Sequence, residues 1–353
     1  MTQLLMVCGV GGAGKTTLSA SLAIAAARSG QRVLVVTIDP AKRLADALGL
    51  RPDSLKAHAV ALPAPCSGHL EAMMLDRQTA WDAAVQRHAP TDEVARALLA
   101  NPYYRALRTS LTGGHEYVAT EMLHALHQRD DWDLIVVDTP PARHALDVLE
   151  APARVQQLLD RKLVALFLGS GGGLLGAATR GLSGIVQRLA GRQVIADLNE
   201  FFDLLHHVSE GFRQRGREVE NLLRGKDCSY VLVADAAVPR FEELAPFVAH
   251  LQRHRQHIAG FILNRWTPTP AATLLGHRAV LRSLEPSIQH GVETEWHHME
   301  QHASACTRTH QRFNTLAPDV GVWHAPHLST ALGLETLVET SASMPPLHPP
   351  TQV

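Results

Sequence analysis

Short apolar runs alternate with amphipathic stretches along most of the chain. Residues 4–8 are apolar, and residues 18–27 are Ala-rich and apolar at helical spacing. Residues 32–38 form a continuous, largely β-branched run, the pattern of a strand buried on both faces of a parallel sheet. Residues 70–75 predict another strand. Residues 133–138 predict a clear one, four apolar residues closed by Asp138. Further strands are expected at 230–234, 258–264 and 321–324. Residues 77–128 predict helices broken at Pro90, Pro102 and Gly113-Gly114. Helices are also predicted over 241–253, 293–316 and 328–339. Residues 151–225 have a different character. They read as an apolar helix over 155–168, then a glycine-rich loop at 169–173 that the small and apolar residues 174–178 continue. Helical spacing resumes at 185–189 and 195–223. The alternation predicts an α/β fold with a mostly parallel central sheet flanked by helices, plus a helical subdomain. The domain division expected is a single domain over residues 1–340 with helical insertions at about 77–128 and 151–225. The proline-rich residues 341–353 are expected to be a disordered tail.

The first strand leads into Gly9-Val10-Gly11-Gly12-Ala13-Gly14-Lys15-Thr16-Thr17. Strand, glycine-rich turn and helix, with four residues between Gly9 and Gly14-Lys15-Thr16, match the phosphate-binding loop of P-loop NTPases. Glycines let several N–H groups converge on one concavity, and the following helix adds the positive end of its dipole. Residues Gly11, Gly12, Ala13, Gly14, Lys15, Thr16 and Thr17 are therefore expected to hold ATP. Lys15 would neutralise the β- and γ-phosphates, and the Thr16 hydroxyl would ligate Mg²⁺. Asp138, at the carboxyl end of a neighbouring strand, is the second acidic residue such a site needs. Capping the helix that begins near Ala142 is its alternative role.

Composition narrows the partners. Lys and Arg number 33 and Asp and Glu 34, so the near-zero net charge favours neither nucleic acid nor an anionic membrane surface. The four cysteines, Cys8, Cys66, Cys228 and Cys306, are far apart and form no C-x-x-C pair, which suits a reduced, cytoplasmic protein. No signal peptide is read before the first strand, and no run is apolar enough to predict stable membrane insertion.

Taken together, Gly9 to Thr17, Ile38-Asp39-Pro40-Ala41, Asp138-Thr139-Pro140-Pro141 and Ile262-Leu263-Asn264-Arg265 resemble the ArsA-like ATPases. That family includes the arsenical-pump ATPase and the targeting factor for tail-anchored membrane proteins. The likeness runs from about Leu4 to Glu339 and is strongest to an actinobacterial-type branch. It implies a nucleotide-dependent dimer. Asp39 would then be the switch residue that positions or activates the attacking water, acting with Lys15 in catalysis. Asp138 would hold Mg²⁺ through water, Asn264 would contact the adenine edge, and the loop at Ala325-Pro326 would close over the base. A carboxylate at Asp39 follows the strand after the P-loop helix, where it could orient a water for in-line attack; capping the following helix is its alternative or concurrent role.

Two departures from the family pattern matter. Relatives carry lysine directly after the first glycine and use it across the dimer, whereas this chain has Val10. The expected pairing is a homodimer, or a heterodimer with a lysine-bearing ArsA-like paralogue, with Lys42, Arg43 or Arg143 as local substitutes. There is also no cysteine cluster suited to arsenite, a soft centre that wants several thiolates. The resemblance implies a nucleotide-driven switch with a hydrophobic or membrane-protein client. The alternative is a weakly hydrolysing regulatory subunit. For the helical insertion, Leu163, Leu166, Phe167, Leu168, Leu174, Leu175 and Ile185 are candidate groove contacts, and ordinary core packing is the other reading. His298, His302, Cys306 and His310 recur every four residues and read as a solvated polar helix face rather than a metal site.

Overall fold

In a computed structural model, residues 2–38, 43–49, 56–75, 77–110, 114–141, 146–151, 174–267, 283, 285–327 and 333–345 are described, with backbone alone over most of 174–199. Eight strands among them form one sheet: β1 (Gln3–Gly9), β2 (Arg32–Thr37), β3 (His58–Ala59), β4 (His69–Met74), β5 (Leu134–Asp138), β6 (Cys228–Asp235), β7 (His257–Trp266) and β8 (Val322–Pro326). Their order is β3-β4-β2-β5-β1-β6-β7-β8. Every pairing is parallel except the two-residue β3 against β4. The fold is the α/β architecture of a P-loop NTPase. The chain winds outward from β1 towards β2 and β4 on one side and towards β6, β7 and β8 on the other. The carboxyl ends flanking β1 are thus a topological switch point, where open α/β sheets bind ligands.

β5 is buried at every position and β1 at all but its first residue, which is why both read as unbroken apolar runs. The helix after β1, α1 (Lys15–Arg28), is buried on nearly all sides, through Leu18, Ala20, Leu22, Ala23, Ile24, Ala26 and Ala27. It packs on the sheet and on the helix α10 (Leu334–Ser341), so more than one of its faces is enclosed. Two further helices belong to this part of the chain, α8 (Phe241–Arg253) and α9 (Pro286–Leu316). A short helix, α2 (Arg43–Leu48), follows β2.

The chain divides into two compact units, the sheet unit (residues 1–74, 130–145 and 226–353) and a helical unit (residues 75–129 and 146–225). In the helical unit, α3 (Arg77–His88), α4 (Asp92–Ala100), α5 (Pro102–Ser110) and α6 (Gly114–His127) pack on the long α7 (Leu174–Arg224). Thr91 caps α4, its hydroxyl accepting from the Val94 N–H at 3.4 Å. Trp81, Tyr117 and Phe212 form the aromatic centre, and the Tyr117 hydroxyl donates to the Phe212 carbonyl at 2.9 Å. Beside it lies the buried Glu121, which meets Arg87, His88 at 3.3 Å and Arg215 at 3.8 Å.

Several expectations about the elements differ from the structure. Residues 174–178 lie within α7 and do not continue the loop; Leu174, Leu175, Ala177 and Ala178 are good helix formers, and they outweigh Gly176. The helix α9 begins at Pro286 rather than 293, with proline at its first helical position, where no N–H is needed. The last helix starts at Leu334, and the chain stays ordered past it: Ser341 ends α10, and Met344 is buried. The remainder of the expected tail, 346–353, lies outside the described residues. So do the predicted helix over 155–168 and the side chains of all seven candidate groove residues.

Candidate nucleotide site

The loop between β1 and α1 has the backbone that its glycines permit. Gly12 lies at φ +79° and Gly14 at φ +91°, left-handed conformations that residues with a Cβ rarely adopt. Lys15 opens α1 and curls back over the loop. Its Nζ donates to the carbonyls of Gly9 and Val10, both at 3.1 Å, so the largely buried ammonium is held by carbonyl dipoles on the floor of the loop. Thr16 sits one residue on. Its Oγ1 donates to Asp138 Oδ2 at 2.8 Å.

Asp138 is placed by register. It ends β5, lies opposite Val7 of β1 on one side and Thr37 of β2 on the other, and is 1% exposed. Thr37 Oγ1 donates to the same Oδ2 at 3.1 Å. Two hydroxyls therefore aim one carboxylate at the mouth of the P-loop, and its capping alternative falls among residues 142–145, outside those described. Thr37 escaped the sequence reading; its one signal was its position as the last strand residue before Ile38-Asp39. Hard oxygens from Thr16 and Asp138 side by side are the donor set Mg²⁺ takes, so the residues present fit that ion.

Asn264, near the end of β7, also reaches the loop: its Nδ2 donates to the Ala13 carbonyl at 2.9 Å. Pro326, at the exposed end of β8, pairs in register with Trp266, two residues past Asn264. Thus Gly11, Gly12, Ala13, Gly14, Lys15, Thr16, Asp138 and Asn264 are brought together, with Thr17 on the next position of α1, and Pro326 stands on the strand beside Asn264's. Asp39 lies outside the described residues. The chain leaves β2 beside Asp138, since the Ile38 N–H donates to the Asp138 carbonyl at 3.1 Å. Lys42, the Arg43 side chain and Arg143 are likewise outside.

Val10, where relatives are expected to carry a lysine, is 1% exposed, its side chain in the core. Cys8 lies under the loop, but burial, outweighing the hydrogen bond with Thr139 and the nearby Lys15 charge, pushes its thiol up to about 12. It is no nucleophile at neutral pH. The histidine row on α9 does not form one solvated face. Cys306 is buried, and His310 is half-buried with its Nδ1 2.9 Å from His324 Nε2. His324 in turn stacks on Trp266 at 3.6 Å between centroids. A straight α-helix turns a four-residue repeat through about 40° per step, so the row spirals from solvent into the core. Among the described residues, no group of three or more His, Cys, Asp and Glu is arranged to hold a metal.

The family model for the anion-transporting ATPases matches residues 2–273. The chain belongs to that family. Within it, the sequence is 32% identical over 218 residues to an ATPase ARSA2 of Chlamydomonas reinhardtii, covering 59% of this chain and 55% of that one. It is 27% identical over 202 residues to an ATPase GET3 of Malassezia globosa, covering 55% and 57% respectively. A putative arsenical pump-driving ATPase of Halobacterium salinarum is 28% identical over 174 residues, 45% of this chain and 25% of that one. The chain thus spans between 25% and 57% of the length of these curated relatives. Among the described residues, no helix is long and apolar enough to cross a membrane.

Proposed function

We propose that this member of the anion-transporting ATPases is a Mg²⁺-dependent ATP hydrolase whose nucleotide state switches a dimer. The observation that carries the reading is the joint geometry of Lys15 and the Thr16–Asp138–Thr37 group at one loop mouth. In this reading, the loop N–H groups and Lys15 hold the β- and γ-phosphates. Thr16 holds the metal directly and Asp138 through water. When bound, the ion would supply charge neutralisation on the phosphate oxygens. Asp39 accepts a hydrogen bond from the attacking water and aligns it for in-line transfer. The water oxygen bonds to the γ-phosphorus as the bond from that phosphorus to the β–γ bridging oxygen breaks. ADP leaves with the bridging oxygen, and of the two water protons one stays on the inorganic phosphate and one is released to solvent. Asn264 and the loop at Pro326 hold the base.

The reading extends to a cytoplasmic switch acting on a hydrophobic or membrane-protein client. The buried, uncharged Val10 favours a second reading: a weakly hydrolysing subunit that pairs with a paralogue able to supply the missing cation. Titration with Mg·ATP and a phosphate-release assay test both. Lys15→Ala should abolish binding, and Asp39→Asn should abolish release but keep binding. Wild type that binds Mg·ATP yet releases phosphate only when a paralogue is added supports the second reading. Wild type that does not bind Mg·ATP refutes both.

A further inference from the structure

Asn264 is engaged on both sides of its amide. Its Nδ2 donates to the Ala13 carbonyl, and its Oδ1 accepts from the Arg265 N–H at 2.9 Å. Only the amide nitrogen can face a carbonyl and only the amide oxygen can face an N–H, so the two bonds fix the side chain's orientation. The stem is braced as well. Arg265 lies at φ +58°, an uncommon conformation for a residue with a Cβ. Its guanidinium meets Asp235 Oδ2 at 2.8 Å, and Asp235 Oδ1 accepts from the N–H groups of Ala237 and Val238 at 3.0 and 2.9 Å. The Asn264 carbonyl accepts from the Ala236 N–H at 2.8 Å. The end of β7 is therefore tied to the turn that follows β6 before it touches the loop.

The contact with the loop is close at two consecutive residues. A Cβ on Gly14 would lie 2.1 Å from Asn264 Nδ2, so the amide occupies the space a side chain there would fill. In a trans peptide the C=O of one residue and the N–H of the next point in opposite directions. Holding the Ala13 carbonyl towards β7 therefore aims the Gly14 N–H away from it.

We infer that Asn264 is a positioning residue for the phosphate loop, a strut that fixes the Ala13–Gly14 peptide plane whether or not a base is bound. The inference rests on the nucleotide reading above for its consequence, but not for the strut itself. Asn264 still has one N–H and one Oδ1 lone pair to offer an adenine edge, so both roles fit one residue.

Two measurements separate a strut from a residue that reads only the base. The first is hydrogen exchange of the nucleotide-free protein over residues 9–17. The second is titration with magnesium tripolyphosphate, which carries phosphates and no base. Asn264→Ala should raise exchange in the loop and weaken tripolyphosphate binding about 3- to 10-fold, the equivalent of one net amide–carbonyl hydrogen bond. Asn264→Asp should weaken it further, because a carboxylate oxygen would then face the Ala13 carbonyl. It carries the test if Asn264→Ala does not fold. Unchanged loop exchange together with wild-type tripolyphosphate affinity overturns the strut. If wild type binds neither ATP nor tripolyphosphate, the nucleotide reading fails, and the exchange comparison still decides the strut.

Discussion

Replacing Glu121 with Gln should remove roughly 3–5 kcal/mol of stability from the helical unit, the usual cost of breaking a buried ion pair from one side. The Glu121 side chain is 0% exposed. It contacts Arg87 of α3, His88 at 3.3 Å and Arg215 of α7 at 3.8 Å, so one carboxylate joins three helices. Burial raises its pKa, yet hydrogen bonds from His88 and Arg87 and the Arg87 charge outweigh burial and leave it below the ordinary carboxylate range. A neutral amide keeps the shape and loses the charge, so Arg87 and Arg215 are left facing each other across a buried dipole. Arg215→Ala should cost less, about 1–2 kcal/mol, because Glu121 keeps its two other partners and Arg215 still reaches solvent. Urea unfolding followed by far-UV circular dichroism measures the loss. Hydrogen exchange in α3, α6 and α7 locates it. A loss below about 1 kcal/mol for Glu121→Gln, or one equal to that of Arg215→Ala, would refute the hub.

The same cluster predicts a pH dependence. Burial, then the neighbouring Arg215 charge, depresses His124 to about 4, so it is neutral in the folded protein while its unfolded counterpart titrates near the ordinary histidine value of about 6.5. Between these values the unfolded chain binds the extra proton. Stability is therefore full above about pH 6.5 and falls by on the order of 2 kcal/mol as pH drops towards 4. Melting curves across that window check it, and His124→Asn should flatten the slope. Gly14→Ala should weaken Mg·ATP binding by roughly 30-fold or more, since it combines a φ of +91° with a Cβ 2.1 Å from Asn264; titration calorimetry reads it, and near wild-type affinity would be the contrary result. Cys8 should resist iodoacetamide in the native state while the half-buried Cys66 reacts. Mass mapping of the alkylated cysteines decides this.

Local pattern made much of the fold legible. The apolar runs at 32–38 and 133–138 are strands because both faces of a parallel sheet are covered, and Gly9 to Thr16 announces its turn because only glycine tolerates φ values near +80 to +90°. The breaks at Pro90 and Pro102 fall between α3 and α4 and at the start of α5, because proline has no N–H for the ladder of helix hydrogen bonds; Gly113 lies outside the described residues. Helix starts were less legible. The helical state of 174–178 in α7 and the onset of α9 at Pro286 depend on a few residues whose helical preference the neighbouring glycines and polar positions obscure.

What sequence alone determined was the loop motif: a contiguous motif carries its own spacing, so Lys15 and Thr16 could be picked out as candidates without knowing what lies beside them. The tertiary structure decided everything that depends on register between strands distant in the chain. Thr37 meets Asp138 because β2 and β5 are neighbours in the sheet order, 101 residues apart in the chain. Asn264 meets Ala13 across 251 residues because β7 lies two strands from β1. The same holds for Glu121 and Arg215, whose helices come together only when the helical unit packs. No local periodicity encodes such pairs. They follow from which surfaces bury against each other, and that choice exists only once the whole chain has folded.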